Sequence, residues 1–348
     1  MTTPQKTAIV LFNLGGPDGP DAVKPFLFNL FNDPSIIRVP QPMRTMLAYL
    51  ISRRRAPQAR EIYAQMGGGS PLLPNTRAQA DALQEALRAP GHDARCFIAM
   101  RYWHPMTLEA AEAVKAYDPD RIVLLPLYPQ YSTTTTASSR RVWDEACRTI
   151  GLDKPTQMLC CYPTEGGFVA ANAEKVRAAL AEASAHGRPR LLLSYHGLPE
   201  KIVRTGDPYQ WQCERTSEAI VAALGMPGLD WVTCYQSRVG PMKWIGPATE
   251  DEVARAGADK VPLVVLPAAF VSEHSETLVE IGEEYRHLAQ EKGVPFYARV
   301  DTVGTAPAFI RGLADLVRGV LASAPRLCSQ DGGRICPARH GGCPHKAA

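Results

Sequence analysis

The sequence lacks the features that mark several large classes of protein. No apolar run in its 348 residues is long enough to cross a bilayer as a helix, and the N-terminal segment has no charged leader followed by an apolar stretch. The formal net charge is only +3, and no basic stripe with interleaved aromatic residues is present, so nothing favours a nucleic acid partner. We therefore expect a cytoplasmic protein.

Phosphate-binding and disulfide signatures are also missing. The loop NLGGP from Asn13 has neither the Gly-x-Gly-x-x-Gly spacing nor the Gly-Lys-Ser/Thr ending. An odd count of nine cysteines without an export signal argues against a disulfide framework. Six of the cysteines lie in or beside apolar segments: Cys96, Cys147, Cys160, Cys161, Cys213 and Cys234. Most of these six are expected to be small buried hydrophobic residues.

Short apolar runs alternate with helical patterns along the chain. Continuous hydrophobicity is typical of strands buried on both faces, and alternation with helices predicts parallel sheets built from βαβ units. The fold class is therefore α/β, with two Rossmann-like domains that each hold a four-stranded parallel sheet flanked by helices. The clearest runs begin at Ala8, Cys96, Arg121, Arg190, Trp231, Val261 and Phe296, with a weaker one near Gln157.

The predicted strands divide into two sets near residue 160. We expect an N-terminal domain over 1–160, a C-terminal domain over 161–306, a last helix over 307–326 and a Cys-rich tail over 327–348 that belongs to neither sheet. Ligands of such sheets bind where the strands end, so a cleft between the two halves is the predicted ligand site.

His196 ends one of the apolar runs, and Gly197 follows it. An imidazole at a strand end would lie at the mouth of the predicted cleft, and the glycine would let a large flat ligand approach closely. Taken alone, a histidine in this position is more often a hydrogen-bonded structural residue than a catalyst.

An acidic stripe follows another apolar run. Glu276, Glu280 and Glu284 are spaced four apart, with His274 at the same end. On an α-helix this spacing gives a slowly drifting stripe, and in a π-type segment the three would align more closely. Such stripes are usually solvated helix faces, but this one starts directly after a buried strand and hence near the cleft.

Long segments of the chain closely resemble those of ferrochelatases and occur in that family's order. The likeness spans nearly the whole chain, roughly from residue 7 to residue 320. The matching segments are LFNLGGP, RRRAP, YAQMGGGSP, MRYWHP, LYPQYS, SYHGLPEK, CYQSRVGPMKWIGPATED and FVSEHSETLVEIGEEY.

The resemblance implies an enzyme of haem biosynthesis that inserts ferrous iron into protoporphyrin IX. His196 matches the family's active-site histidine, which accepts pyrrole protons or stabilises the bent ring, and Glu276 matches an acidic residue facing the other side of the porphyrin. Glu280 and Glu284 match an acidic series proposed as a route for metal or protons. Porphyrin contacts are implied for Leu14, Arg55, Tyr63, Ser70, Arg101, Tyr102, Ser237 and Trp244.

The residue types suit this chemistry. A porphyrin must lose two N–H protons before it can bind a divalent metal, and an imidazole with an ordinary pKa of about 6.5 is a natural acceptor. Oxygen and nitrogen ligands hold Fe2+ weakly enough to release it, whereas thiolates would trap it.

The segment from Pro34 to Pro57 mixes apolar and basic residues. In the family the matching region forms a hydrophobic lip that touches membrane. A peripheral contact with the inner membrane face and an ordinary amphipathic helix are the two interpretations, and the sequence does not separate them. A second copy of the chain is another candidate partner.

Three cysteines lie together in the tail: Cys328, Cys336 and Cys343. Some ferrochelatases carry a [2Fe–2S] cluster on three C-terminal cysteines and one from the body, and the resemblance implies such a cluster here. The body ligand of the animal enzymes is missing, because Thr133 stands in its place, so Cys161 or Cys160 is the implied fourth ligand. Structural zinc with His340 or His345 and a disordered redox-sensitive tail are the alternatives.

Other functions fit the same fold. A coproporphyrin ferrochelatase is one, although Gly197 matches the protoporphyrin enzymes, since many coproporphyrin enzymes have serine there. A cobalt chelatase for corrinoid precursors typically has a shorter chain or paired histidine ligands. A non-enzymatic iron–sulfur or haem-binding sensor would not need both His196 and Glu276.

Overall fold

The computed structural model describes residues 5–88, 92–238, 242–324 and 326–345. Val239–Pro241 of the predicted loop YQSRVGP, and Pro325, near which the last helix was expected to end, lie outside the described residues. The chain divides into two units. The first unit comprises Met1–Cys160 and Ala314–Gly333, and the second comprises Cys161–Leu313 and Arg334–Ala348.

Strands and helices alternate along the described chain. The strands are β1 Gln5–Asn13, β2 His92–Met100, β3 Arg121–Pro126, β4 Thr156–Leu159, β5 Arg190–His196, β6 Asp230–Gln236, β7 Leu263–Pro267, β8 Tyr297–Arg299 and β9 Leu327–Cys328. The helices are α1 Val23–Phe31, α2 Met43–Ala64, α3 Leu72–Ala86, α4 Thr107–Tyr117, α5 Thr136–Ile150, α6 Gly166–Ala183, α7 Glu200–Arg204, α8 Tyr209–Leu224, α9 Thr249–Asp259, α10 Tyr285–Glu291 and α11 Pro307–Ala322.

The first unit contains a parallel sheet in the order β2-β1-β3-β4-β9. Central strand β1 is fully buried from Ala8 to Phe12, which explains its unbroken apolar sequence. Ala8, Val10 and Phe12 pack in one core cluster with Val114 of α4 and Trp143 of α5. The α/β class and the parallel sheets flanked by helices are as predicted.

Strand β9 was not expected. The tail was predicted to lie outside both sheets, but Leu327 and Cys328 pair in parallel with Met158 and Leu159 of β4. The first sheet therefore has five strands rather than four. A strand of two residues has no periodicity that sequence inspection could detect, so only its pairing with β4 defines it.

The second unit contains a four-stranded parallel sheet in the order β6-β5-β7-β8. Strand β5 is central, and its side chains alternate between two core clusters. Leu191, Leu193 and Tyr195 pack in the cluster that includes α6 and α8, whereas Leu192 packs in the cluster that includes α9 and α10. This burial fixes the register in which β5 delivers His196 to the carboxyl edge of the sheet.

A π-helix over Glu276–Glu284 follows β7 and continues directly into α10. Its buried residues include Val279 and Ile281, of which Ile281 packs in the second unit's core. Helical segments of this type are rare and frequently occur at functional sites. Among the described residues no helix combines the length and apolar composition that a membrane span requires.

Candidate active site

His196 and Glu276 are in direct contact in the second unit. His196 is the last residue of β5 and Glu276 the first of the π-helix, and the imidazole Nδ1 lies 2.8 Å from the carboxylate Oε2. The two side chains are 44% and 27% exposed, so both have surface available to a ligand. The carboxyl edge of the sheet thus presents a hydrogen-bonded imidazole–carboxylate pair.

The contact corrects one expectation. Glu276 was predicted to face the other side of the porphyrin from His196, but a spacing of 2.8 Å leaves no room for a ring between the two groups, because atoms on each face of a ring need about 3.5 Å. β5 and β7 are neighbouring parallel strands, so the chain at their carboxyl ends places both side chains at one edge of the same sheet.

The pair has a defined protonation preference. Burial disfavours the imidazolium, but the charge and hydrogen bond of Glu276, together with the charge of Glu280, raise the pKa of His196 above 6.5. Burial likewise works against ionised Glu276, and His196 outweighs it, so the pKa of this carboxyl is lowered. The imidazolium form of His196 and the carboxylate form of Glu276 therefore stabilise each other.

Glu280 forms the next step of the acidic series. Its Oε1 accepts from the Ser237 amide at 2.8 Å and from the Tyr285 hydroxyl at 2.8 Å, and the Ser237 hydroxyl donates to Oε2. Burial and then the negative charge of Glu276 raise the pKa of Glu280. Glu284 lies at the exposed end of the π-helix, so the series runs from the partly buried pair to solvent.

Ser237 was predicted to lie near a propionate. Its hydroxyl instead donates to Glu280 and, at 3.2 Å, to Glu276. A negatively charged propionate beside two carboxylates would be repelled. Ser237 also has a φ of 61°, a left-handed conformation that is uncommon outside glycine and often occurs at functional sites. Ser237 therefore links the carboxylates of Glu276 and Glu280, and its place near a propionate stays a prediction.

Gly197 allows close packing beside His196. A Cβ on this glycine would lie 2.7 Å from the Gln236 carbonyl oxygen and 3.2 Å from Cε3 of Trp244. Trp244, one of the predicted porphyrin contacts, is therefore held against the chain that carries the imidazole.

His274 lies two residues before Glu276 and was not among the predicted site residues. Its ring is buried and packs on Phe270, with ring centroids 4.4 Å apart, and neither ring nitrogen has a hydrogen-bond partner within the described segments. Burial lowers the pKa of His274, whereas the pKa of His196 is raised.

Several predicted porphyrin contacts come together in the first unit. Tyr63 and Tyr102 lie in one core cluster, against which Leu14 packs. The Arg55 guanidinium lies 5.8 Å from the centroid of Phe31, which also packs against this cluster. Ser70 is separate from them and packs beside Gly16, where a Cβ would approach within 2.5 Å.

The side chains of Arg101 and Tyr102 both form hydrogen bonds with another protein group. The Arg101 guanidinium lies 4.8 Å from the Tyr102 ring centroid and donates to Asp33, as does the Tyr102 hydroxyl. Tyr102 is only 1% exposed. Sequence reasoning missed Asp33, because a lone aspartate after a helix is an ordinary turn residue.

The tail thiols fall into two groups. In the second unit Cys336 and Cys343 are buried neighbours, and the Cys336 thiol, the His345 amide and Arg334 lower the pKa of Cys343 to about 6. The charge of Cys161 contributes to the raised pKa of Cys336. In the first unit Cys328 carries the carbonyl that accepts from the Cys160 amide at 2.7 Å.

No preformed metal cage is present in residues 5–88, 92–238, 242–324 and 326–345: three or more His, Cys, Asp or Glu side chains nowhere meet in a way that could hold a metal ion. The described residues thus offer thiols that could bind the predicted cluster or the alternative zinc ion, but these thiols are not assembled into a ligand set.

Two units, each with a parallel sheet flanked by helices, define the fold of this chain. SirB from Bacillus subtilis with Fe3+ shares this fold: it aligns with a TM-score of 0.54 and 10% identity over 91% of this chain and 96% of its own.

The family is defined by sequence. The ferrochelatase family model matches residues 6–321. Ferrochelatase from Caulobacter vibrioides is 54% identical over 98% of this chain and 97% of its own, and that from Hyphomonas neptunium is 52% identical over 98% and 95%. Ferrochelatase from Wolbachia pipientis wMel is 49% identical over 89% and 98%. The chain belongs to the ferrochelatase family of porphyrin metal chelatases.

Proposed function

We propose that this protein inserts Fe2+ into protoporphyrin IX to form protohaem, and that His196 and Glu276 are its catalytic residues. Family membership supports the reaction, and the observation that carries the assignment of residues is the hydrogen bond between the His196 imidazole and the Glu276 carboxylate. Both groups are partly exposed beside an acidic series that extends to the surface.

The reaction is an exchange of protons for metal. Two pyrrole N–H bonds break and release two protons, all four ring nitrogens bind the iron, and iron stays ferrous throughout. His196 accepts a proton only in its neutral form. Glu276 makes the imidazole a stronger base, and it stabilises the imidazolium that results. Protons then pass to solvent.

Glu280 and Glu284 are proposed to carry metal or protons between solvent and the pair. Four-residue spacing on the π-helix and the outward gradient of exposure support this role. Carboxylates bind Fe2+ weakly enough for it to move on. Burial and the charge of Glu276 raise the pKa of Glu280, which favours its protonated form relative to an ordinary glutamate.

Leu14, Arg55, Tyr63, Ser70, Arg101 and Trp244 are proposed to contact the porphyrin. For these residues the support is the family resemblance, together with the clustering of Leu14 and Tyr63. Tyr102, which is nearly fully buried, is proposed to support Arg101 rather than to present its own surface.

Anaerobic mixing of the purified protein with protoporphyrin IX and Fe2+ or Zn2+, followed by metalloporphyrin absorption, tests the function. We expect insertion by the wild type and a loss of about 100-fold or more in His196→Ala, since the general base is removed. His287→Ala is the control, because His287 is 75% exposed on α10. Normal turnover by His196→Ala would refute the assignment.

We propose that the protein also holds a [2Fe–2S] cluster. The thiolate-stabilising surroundings of Cys343 and the influence of Cys161 on Cys336 support Cys161, Cys336 and Cys343 as ligands. For Cys328 the support is the resemblance and its strand pairing beside Cys160, whose peptide continues into Cys161. Such a cluster supplies redox or structural properties and no step of metal insertion.

Iron, sulfide and the visible spectrum of the purified protein test the cluster. Cys161→Ala is expected to abolish the cluster absorption, and Cys160→Ala is the matched control from the adjacent residue. A colourless wild type that contains one zinc ion and no sulfide would show that the tail binds structural zinc and not a cluster.

The first half of α2 is proposed to touch a membrane surface. Exposed apolar side chains are unusually dense there: Met43, Met46, Tyr49 and Leu50 are each more than 40% exposed, as is Ile36 shortly before the helix. Co-sedimentation with vesicles of anionic phospholipid should fall when Met46 and Leu50 are both changed to serine. A homodimer stays a prediction that sedimentation would check.

Gly197 supports protoporphyrin rather than coproporphyrin as the substrate. The serine of many coproporphyrin enzymes would place its Cβ against the Gln236 carbonyl and Trp244 here. A higher kcat/KM for coproporphyrin than for protoporphyrin would overturn this choice.

A further inference from the structure

Asp33 is a buried carboxylate with an unusually complete set of donors. It lies just after α1, and its side chain is 0% exposed. Oδ2 accepts from Nη2 of Arg101 at 2.7 Å and from the Tyr102 hydroxyl at 2.8 Å. The Ser138 hydroxyl donates to the same oxygen at 2.7 Å.

The other carboxylate oxygen is also occupied. Oδ1 accepts from the Ser35 amide at 2.8 Å and from Nη2 of Arg141 at 3.3 Å. Arg141 additionally pairs with the exposed Glu145 on its own helix. A carboxylate buried without partners would be strongly destabilising, so this degree of pairing is what permits a charge at this position.

Asp33 and the side chains that donate to it come from three separate parts of the first unit. Arg101 and Tyr102 follow β2, Ser138 and Arg141 lie on α5, and Asp33 itself follows α1. Ser138 completes a closed triangle, because its hydroxyl donates to Asp33 and accepts from Nε of Arg101 at 3.0 Å. Arg101 therefore has its guanidinium plane fixed at two nitrogens, and 12% of its side chain remains exposed.

Electrostatics favour a charged Asp33. Burial opposes ionisation, but Arg101, the Ser35 amide and the hydroxyls of Ser138 and Tyr102 outweigh it, so the pKa of Asp33 is lowered. The Arg101 cation is thus balanced by a fixed anion. A lone guanidinium would repel an incoming divalent cation, whereas a neutral ion pair would not.

We propose that Asp33 is a positioning residue for iron insertion: it fixes Arg101 in the orientation that meets the porphyrin and neutralises its charge toward the metal. The inference rests on the proposed function, in which Arg101 contacts the macrocycle. Asp33, although fully buried, would thus affect the binding of both the porphyrin and the metal ion.

Asp33→Asn in the full-length protein tests the role, because the amide keeps the size and loses the charge. We expect the Kd for protoporphyrin, measured by fluorescence without metal, to rise about tenfold, as loss of a charged hydrogen bond predicts. The KM for Zn2+ should rise as well. Asp144→Asn is the matched control, since Asp144 pairs with Arg140 at 2.8 Å on the exposed face of α5.

A double-mutant cycle separates positioning from general stability. If Asp33 acts through Arg101, Asp33→Asn in an Arg101→Leu background should cause no further change in the Kd for protoporphyrin or in the KM for Zn2+. Additive losses, or an Asp33→Asn variant that behaves like Asp144→Asn while the wild type is active, would overturn the inference and leave the function intact. An inactive wild type would refute the function instead.

Ser138→Ala provides a milder second variant if Asp33→Asn does not fold. It removes one hydroxyl from the triangle and leaves both charges in place. The same direction of change in the porphyrin Kd, with a melting temperature near that of the wild type, supports the inference, and an unchanged Kd contradicts it.

Discussion

The basicity of His196 depends on the carboxylate that it contacts. Glu276 raises the pKa of His196 above 6.5, and proton acceptance requires the neutral imidazole. For the wild type, kcat/KM for the porphyrin should therefore rise with pH as the imidazolium loses its proton. In Glu276→Gln the raising charge is lost, so this rise should move to lower pH while the maximal rate falls. A pH–rate profile of Zn2+ insertion measures both effects.

Glu283→Gln is the control for that profile. Glu283 lies on the same π-helix but is exposed and outside the acidic series. If Glu276→Gln and Glu283→Gln leave the profile equally unchanged, the carboxylate does not set the basicity of His196.

Single residues were predictable where strand ends and motif spacing define them. His196 and Glu276 were identified because each follows a buried strand in a matching motif. Their direct contact was not, since the sequence carries no information on which side of a ligand each side chain points to. Asp33 was missed for a related reason: its importance comes from Arg101, Ser138 and other residues distant along the chain.

At the scale of elements, two glycines of α11 should respond oppositely to the same substitution. A Cβ on Gly312 would lie 2.4 Å from the carboxylate of Glu165, which caps α6 by accepting from the amides of Gly167 and Phe168. A Cβ on Gly319 would meet nothing within 4 Å. Gly312→Ala should cost about 1–2 kcal/mol through loss of the cap, and Gly319→Ala should stabilise by about 0.5–1 kcal/mol.

Urea unfolding of both variants checks this difference. Each changes one glycine to alanine in the same helix, so helix propensity is matched and packing alone differs. Equal shifts in the free energy of unfolding would show that Glu165 moves aside without losing its cap.

Arg334 is expected to hold the tail closed. Its guanidinium donates to the carbonyl oxygens of Cys336, Pro337 and His340 at 2.8, 3.0 and 3.0 Å, and also to that of His345. Arg334→Met leaves these carbonyls without their charged donor. In metal-free protein the buried thiols of Cys336 and Cys343 should then be alkylated about tenfold faster, as opening becomes easier.

Arg339→Met is the comparison for that experiment, because Arg339 is exposed in the same loop. Unchanged alkylation in Arg334→Met would mean that the tail is ordered by other contacts. The apolar runs predicted β1–β8, but tail order of this kind is invisible in sequence, since it depends on carbonyl groups that every residue carries.

At the scale of the molecule, the last helix and tail join elements that are distant in sequence. Arg318 donates to the Ala86 carbonyl at 2.6 Å, and the Gln157 amide donates to the Val320 and Ser323 carbonyls at 2.9 Å each. Strand β9 covers the edge of β4. The first unit is thus completed by residues 314–333, which the predicted boundary at residue 160 leaves out.

Residues 1–160 alone should therefore be poorly stable. Without 314–333 the partly buried Gln157 amide loses the Val320 and Ser323 carbonyls and the β4 edge is open, which favours aggregation. Addition of a peptide covering residues 307–333 should raise the melting temperature of the fragment, followed by circular dichroism. A Cys328→Pro peptide should raise it less, because proline is disfavoured within a strand. A fragment 1–160 that melts cooperatively at the same temperature with and without the peptide would show that the first unit does not need the returning chain.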